Sequence, residues 1–461
     1  MEKKKYFKST PNYTKKDGHN KNYKKKESFK KDTLKGKDKE NLKQLNVRYY
    51  IYQCLYNIYI KKAFVNIEVD HIIRKKDLSI QDKNLLTKVV YGTLQKDYLL
   101  NWEIKNLSDK RPKDEAKIIL LMSLYQLHFL DKVPPFAIIN EAVEVAKKVQ
   151  GEFVAKYVNA ILRESTRQNL TLKEEDCKNH YEYLSILYNT PVFVIKMWER
   201  HYGMDKTMQI LIANSKEAPL AVRCNVDKQL ILKNPNFIEG KLAKNSLIYV
   251  GNDLLNEVEF KNKEISIQDE SSQYVVDMLS PKENDKIIDM CAAPGSKSAY
   301  ISKLIGNGKL LSIDIYPHRV ELMEKYFKEL GLNNVTCVCY DSTLLYKKEK
   351  LLHSFDKVLL DAPCSGLGVI RRKPDIVFDL SSDKLDELVA LQEKLLDQAY
   401  LLVKDDGEIL YSTCSINKKE NDSQITTFLA KHPDMKRVFE KQIFPDEYDS
   451  DGFYIAKLVK K

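Results

Sequence analysis

Two cysteines of this 461-residue chain stand in short loops bounded by Gly, Ser and Pro. Cys364 lies in DAPCSGLG (361–368) and Cys414 in YSTCS (411–415). A thiolate is the natural nucleophile for carbon 6 of a pyrimidine, and addition there makes carbon 5 electron-rich enough to take an electrophilic methyl group. An unperturbed thiol titrates near ~8.5, so such a site must favour the thiolate. Either cysteine could serve on chemical grounds. For Cys54, Cys177, Cys224, Cys337 and Cys339 the reading is the ordinary one, a small buried hydrophobe.

The loops need strands to position them. Short apolar runs at 286–289, 310–314, 335–340, 357–361 and 408–412 predict five buried strands, several separated by helical patterns, as in a doubly wound α/β sheet. Ligands of such sheets bind beyond the carboxyl ends of the strands. There the sequence places Asp289, Asp314, Asp341, Asp361 and Thr413-Cys414. The first strand runs into DMCAAPGSKS (289–298), where Ala292, Ala293 and Gly295 let a ligand approach the backbone and a following helix offers free N–H groups to a carboxylate. This is neither a Walker loop nor G-x-G-x-x-G, which argues against ATP and NAD. Asp314, 25 residues after Asp289, suits a ribose diol, although strand-end acids also cap helices. Lys297 brings positive charge to the same edge. Arg371, Arg372 and Lys373 follow the Pro-Cys loop and are expected to hold flanking phosphates, the alternative being an ordinary exposed basic loop.

Charge is unevenly placed. Residues 1–44 hold 16 Lys, no Arg and 6 acids, while the other 417 residues hold 60 basic and 59 acidic side chains. The formal +11 is thus a property of the tail, which has too few aliphatic residues to fold and is expected to be disordered, either as a solubilising appendage or as an electrostatic arm for RNA. The 8 cysteines include no Cys-x-x-Cys pair and no His at ligand spacing, so no metal is expected. Thiol usage without a secretory signal fits a reducing cytoplasm. The most apolar stretch, 118–130, is too short for a membrane span. No repeat or heptad asks for an oligomer, and a monomer is expected.

From residue 45 the periodicity is helical: Val47, Ile51, Cys54, Leu55 and Ile58 share a face, as do Leu86, Val90 and Leu94. Asp114 precedes a buried helix over 116–130 that Pro134 and Pro135 end, and Asn140 is placed to cap the next helix, 141–149. His128 reads as a satisfied core residue. The stretches KVVYGTLQKDYLLNW (88–102), LYQLHFLDKVPPFAIINEAVEVAKK (124–148) and YVNAILR (157–163) resemble the NusB-type helical RNA-binding fold. Residues 171–267 then show a helical piece near 188–202 and short alternating runs at 220–223, 246–249 and 258–260, a small α/β module.

Once IQDESSQ (267–273), DAPCSGLG with VIRRKPD, and YSTCSI are set together, residues 268–461 resemble the S-adenosylmethionine-dependent RNA 5-methylcytosine methyltransferases. With the NusB-like region the likeness extends over 45–461 and points to the branch acting on small-subunit ribosomal RNA. It implies an α/β Rossmann-like methyltransferase domain (268–461), preceded by an all-α NusB-like domain (45–170) and a small α/β RNA-binding module (171–267). It implies a cofactor loop at Cys291, Ala292, Ala293, Pro294, Gly295, Ser296 and Lys297, a ribose-binding acid at Asp314, an acid near the adenine at Asp341, and Asp361 at the methyl-transfer edge. By the same likeness Cys414 is the nucleophile and Cys364 assists release of the covalent adduct. Ser296 stands where many relatives carry Gly, which is tolerated only if its φ is negative. The competing readings are a transfer RNA cytosine methyltransferase of the same fold and an inactive RNA-binding or antitermination factor. The retained Asp314, Asp361, Cys364 and Cys414 argue against the inactive factor. Amino-group methyltransferases typically carry Asn/Asp-Pro-Pro-Tyr where this chain has Asp361-Ala362-Pro363-Cys364.

Overall fold

The computed structural model describes residues 46–461, which form two compact units divided after Thr171. The Lys-rich tail lies outside the described residues.

The first unit is all-helical: α1 (Val47–Lys61), α2 (Val65–Lys75), α3 (Ile80–Gln95), α4 (Asp97–Leu107), α5 (Asp114–Phe129), α6 (Pro135–Gln150) and α7 (Glu152–Gln168). Helix α5 is the central one. Asp114 and Glu115 oppose the dipole at its first turn, and an almost unbroken run from Ala116 to Gln126 is buried. The Pro pair does not separate two elements as expected. Pro134 is the N-cap and Pro135 the first residue of α6, where proline's fixed φ and missing N–H cost nothing, so Asn140 sits inside the helix and caps nothing. His128 is satisfied by Glu103 at 2.9 Å, but its side chain stays 27% exposed, at the rim of the core.

The second unit opens with three helices, α8 (His180–Tyr188), α9 (Val192–Tyr202) and α10 (Met204–Asn214). A four-stranded antiparallel sheet follows, ordered β2-β3-β1-β4, from β1 (Leu220–Cys224), β2 (Phe237–Glu239), β3 (Ser246–Tyr249) and β4 (Ile265–Ile267). The strand expected at 258–260 is instead a helical turn, Val258–Lys261, closed by Lys263 at φ 61°. Three residues are too few to fix a period.

After α11 (Glu270–Leu279) comes the large sheet: β5 (Lys286–Asp289), β6 (Lys309–Asp314), β7 (Val335–Cys339), β8 (Phe355–Asp361) and β9 (Val403–Thr413), all parallel, then β10 (Met435–Ile443) and β11 (Phe453–Lys460). Its order is β10-β11-β9-β8-β5-β6-β7, with β11 antiparallel to β9 and β10 antiparallel to β11. Helices α12 (Ser296–Leu304), α13 (Pro317–Glu329), α14 (Ser382–Leu402) and α15 (Asp422–Lys431) pack on it. All five expected strands are present. β9 starts earlier than the apolar run because Val403 already pairs with Phe355, a bulge following before Glu408 pairs with Lys357; β10, buried at its ends, and β11, mostly buried, were not among the expected strands. β5 has β6 on one side and β8 on the other, so the strand order reverses between β5 and β8. That reversal opens the crevice at the carboxyl edge.

The turn before β11 meets the loop after β8 backbone to backbone. Gly452 N–H donates to Gly368 C=O at 2.8 Å, and a Cβ on Gly368 would lie 2.0 Å from Gly452 O. Gly368→Ala should therefore destabilise this unit by about 1–3 kcal/mol, the range for forcing an atom into a packed site, read as a lower midpoint in urea unfolding.

Candidate active site

The loop leaving β5 is shaped for a ligand. Gly295 adopts φ +101°, and a Cβ there would come within 3.0 Å of the Phe327 ring. Ser296 begins α12 with φ in the ordinary negative range, which meets the condition set for it. Ala292 N–H donates to Ile313 C=O at 2.8 Å, holding the loop across the end of β6. Beneath it Asp289 is buried, with Oδ2 accepting from Ser298 Oγ at 2.6 Å and Oδ1 without a side-chain donor. Burial pushes its carboxyl up to about 7. Burial also pushes the Cys291 thiol well up, so this cysteine is a neutral wall of the loop. Asp314 uses Oδ1 to accept from Tyr316 N–H at 2.9 Å. Asp341 caps its own turn through Thr343 N–H at 2.9 Å and Thr343 Oγ1 at 2.7 Å. A small-residue cradle, free helix N–H groups and strand-end carboxylates with lone pairs to spare fit an amino-acid-bearing nucleoside such as S-adenosylmethionine.

At the ends of β8 and β9 the chemistry converges. Asp361 Oδ2 accepts from Lys297 Nζ at 2.7 Å and Oδ1 from Ser412 Oγ at 2.8 Å. Burial opposes the Lys297 charge, but the Asp361 carboxylate outweighs it and raises the ammonium pKa. The sulfurs of Cys364 and Cys414 are 3.2 Å apart. Cys364 S–H as donor lowers the Cys414 pKa against burial, helped by the Lys373 and Lys297 charges. Cys364 is raised by the bond to Cys414, by burial and by the negative charges of Cys414 and Glu420. The two shifts run in opposite directions, favouring the thiolate on Cys414 over that on Cys364.

Arg371 and Arg372 require a correction. They do not point outward to phosphates. Arg371 is 2% exposed and pairs with Asp449 at 2.9 Å, while Arg372 joins Asp451 at 2.9 Å, Asp269 at 2.7 Å and Pro219 C=O at 2.9 Å. Asp269 also caps α11, and Ser271 bonds Ser450, so the segments at 269–271, 371–372 and 449–452 form one clamp. Buried guanidiniums need fixed carboxylates, and the acids that supply them are 78, 79 and 103 residues away in sequence. Lys373 remains exposed.

Sequence reasoning missed Glu420. It is fully buried and accepts from Ser365 N–H (2.8 Å), Ser365 Oγ (2.6 Å), Ser415 Oγ (2.8 Å), Gln392 Nε2 (3.1 Å) and Asn417 Nδ2 (3.2 Å). Its surroundings in sequence, NKKEND, look like a solvated turn, and nothing in them signals burial. Arg223 was missed as well. It lies buried on β1, stacks on Tyr300 and donates to Ser296 C=O at 2.9 Å, tying the small sheet to the cofactor loop.

A doubly wound sheet with this loop at the switch point and acids on successive strand ends defines the S-adenosylmethionine-dependent methyltransferases. Residues 276–459 match the family described as 16S rRNA methyltransferase RsmB/F, and residues 45–167 match the NusB family. A probable ribosomal RNA small subunit methyltransferase B of Bacillus subtilis is 33% identical over 451 residues, 91% of this chain and 100% of that protein. The Proteus mirabilis ribosomal RNA small subunit methyltransferase B is 30% identical, covering 84% and 92%. The solved structure of PH0851 shares the fold at a TM-score of 0.77 and 23% identity, over 90% of this chain and 99% of that one. A methyltransferase homologue from Pyrococcus horikoshii overlays at 0.54 and 25% identity, over 60% and 98%. The chain belongs to the ribosomal RNA small subunit methyltransferase B family, enzymes that methylate 16S rRNA with S-adenosylmethionine. Among the described residues no helix is long and apolar enough to cross a membrane, and no group of three His, Cys, Asp or Glu could hold a metal.

Two measurements check this geometry. Alkylation of Cys414 by iodoacetamide, followed against pH, should have its midpoint below the ~8.5 of a free thiol, and Lys297→Met should move it upward. Arg372→Ala should cost about 3 kcal/mol in thermal or urea unfolding, because it leaves the buried Asp451 with Arg371 at 3.5 Å in place of two hydrogen bonds, whereas Lys373→Ala should leave stability unchanged.

Proposed function

We propose that this chain methylates carbon 5 of a cytosine in small-subunit ribosomal RNA through a covalent adduct to Cys414. The observation that carries the reading is the contact of the two thiols, 3.2 Å apart, beside the Lys297–Asp361 pair. Residues 291–297, Asp314 and Asp341 would hold S-adenosylmethionine, which when bound supplies an electrophilic methyl on a sulfonium.

Asp361 accepts from the amino edge of the cytosine while Lys297 and Ser412 keep its carboxylate oriented. The Cys414 thiolate adds to carbon 6, and the electron density this sends to carbon 5 would form the new bond to methyl as the methyl–sulfonium bond breaks, its electron pair staying with the departing thioether. A base takes the carbon 5 proton, the carbon 6–sulfur bond breaks, and its electron pair returns to Cys414. The S–H of Cys364 stabilises that sulfur as it leaves, which is the support for Cys364 as the residue of adduct release. Stacked bases are out of reach of a half-buried thiol, so the target cytosine is in a loop or is extruded. Of the three basic residues after the Pro-Cys loop, Lys373 is the one placed to meet a flanking phosphate.

The chain acts as a monomer in the cytoplasm, where its substrate is naked or partly assembled ribosomal RNA. The test is transfer of labelled methyl from S-adenosylmethionine to unmodified small-subunit ribosomal RNA, with protein–RNA species assayed after denaturation. Wild type should transfer, Cys414→Ala should neither transfer nor trap RNA, and Cys364→Ala should accumulate the adduct. Transfer by Cys414→Ala at the wild-type rate would overturn the nucleophile, and transfer to transfer RNA alone would overturn the substrate.

A further inference from the structure

Cys364 and Cys414 come from different loops, and something must fix the distance between them. Each is followed by a serine, and the two hydroxyls of Ser365 and Ser415 are 2.9 Å apart. Both serines donate to the same carboxylate, Glu420, the first through Oγ and its backbone N–H. Asn417 and Gln392 complete the set of donors, and Gln392 Nε2 also reaches Pro363 C=O at 2.9 Å, one residue before Cys364. The Glu420 backbone is itself pinned, its C=O accepting from Tyr411 OH at 2.7 Å on β9. Both Glu420 oxygens are consumed as acceptors from neutral donors, which leaves a negative charge facing the Cys364 side of the pair.

We propose that Glu420 is a positioning residue of the methyl-transfer site, setting the spacing of the two cysteine loops. It touches neither RNA nor cofactor and acts through Ser365 and Ser415. The proposal rests on the roles assigned above to the two cysteines. An amide at this position keeps the shape but turns one acceptor into a donor facing other donors, and it removes the charge. With that charge gone, the thiolate is shared between the two sulfurs, and departure of Cys414 from carbon 6 loses its S–H partner.

The experiment compares wild type, Glu420→Gln and Ser365→Ala, each checked for S-adenosylmethionine binding by calorimetry. Glu420→Gln should lower kcat about a hundredfold, the scale of a misplaced reacting group, with KM for S-adenosylmethionine within about twofold. Adduct surviving denaturation should accumulate. Iodoacetamide at neutral pH should label Cys414 in wild type and divide between Cys364 and Cys414 in Glu420→Gln, read by mass spectrometry on the separate tryptic peptides that carry them. Ser365→Ala, which keeps the charge and removes part of the tether, should lower kcat with labelling still on Cys414; it also decides the matter if Glu420→Gln fails to fold. Glu420→Gln with unchanged kcat and unchanged labelling overturns the proposal, as does Ser365→Ala with full kcat where the amide variant does not fold. Wild-type labelling on Cys364 would instead overturn the assignment of the cysteines.

Discussion

The pairing register of β8 with β9 is the constraint on which the site depends. Asp361 lies opposite Ser412, and Ala362 N–H donates to Ser412 C=O at 2.8 Å. Counting outward, Cys364 and Cys414 each leave the sheet a few residues beyond that rung, on neighbouring strands. Gly368 N–H then closes the arrangement by donating to Cys414 C=O at 3.0 Å. A slip of one residue would send one side chain of each facing pair to the opposite face and separate the thiols.

Around that register, charge is distributed with a direction. Lys297 and Lys373 act on Cys414, and Glu420 acts on Cys364. Asp361 stands between them as the acceptor that Lys297 neutralises. Two chemically identical groups 3.2 Å apart are thereby pushed in opposite directions: the bond from Cys364, with Lys373 and Lys297, lowers the Cys414 pKa against burial and Asp361, whereas the bond to Cys414, burial and Glu420 raise that of Cys364. The arrangement is stiff: the loop after β8 is held by Gly452, by the Asp269–Arg372–Asp451 ion pairs and by Glu420.

Much of this was legible in the sequence, and for a physical reason. Parallel strands are buried on both faces, so each announces itself as a short apolar run, and the acids and cysteines at their ends follow from reading one step further. Strand β10 escaped because an edge strand with exposed side chains carries no such run, and β11 was missed as well although most of Phe453–Lys460 is buried. Proline at the start of α6 misled because the same residue that stops a helix also opens one. Arg371, Arg372 and Glu420 were misread or missed for a common reason: a charged residue is taken as solvated unless its partner is known. Here Asp449 and Asp451 lie 78 and 79 residues from their arginines, and Glu420 is met by Ser365, 55 residues away, as well as by its neighbours Ser415 and Asn417. Burial of charge is decided by tertiary neighbours, which local pattern does not contain.

The clamp at Asp269, Arg372 and Asp451 has a kinetic consequence. Its members span 182 residues, and Ser450 bonds back to Asp269 across 181. Closing a contact of that separation carries a loop entropy that local helices never face. The helical unit, whose neighbours in space are mostly neighbours in sequence, can therefore form early. The cleft that holds the thiols stays incomplete until the β10–β11 hairpin has docked against Asp269 and Arg372, so folding of the helical unit can run well ahead of assembly of the site.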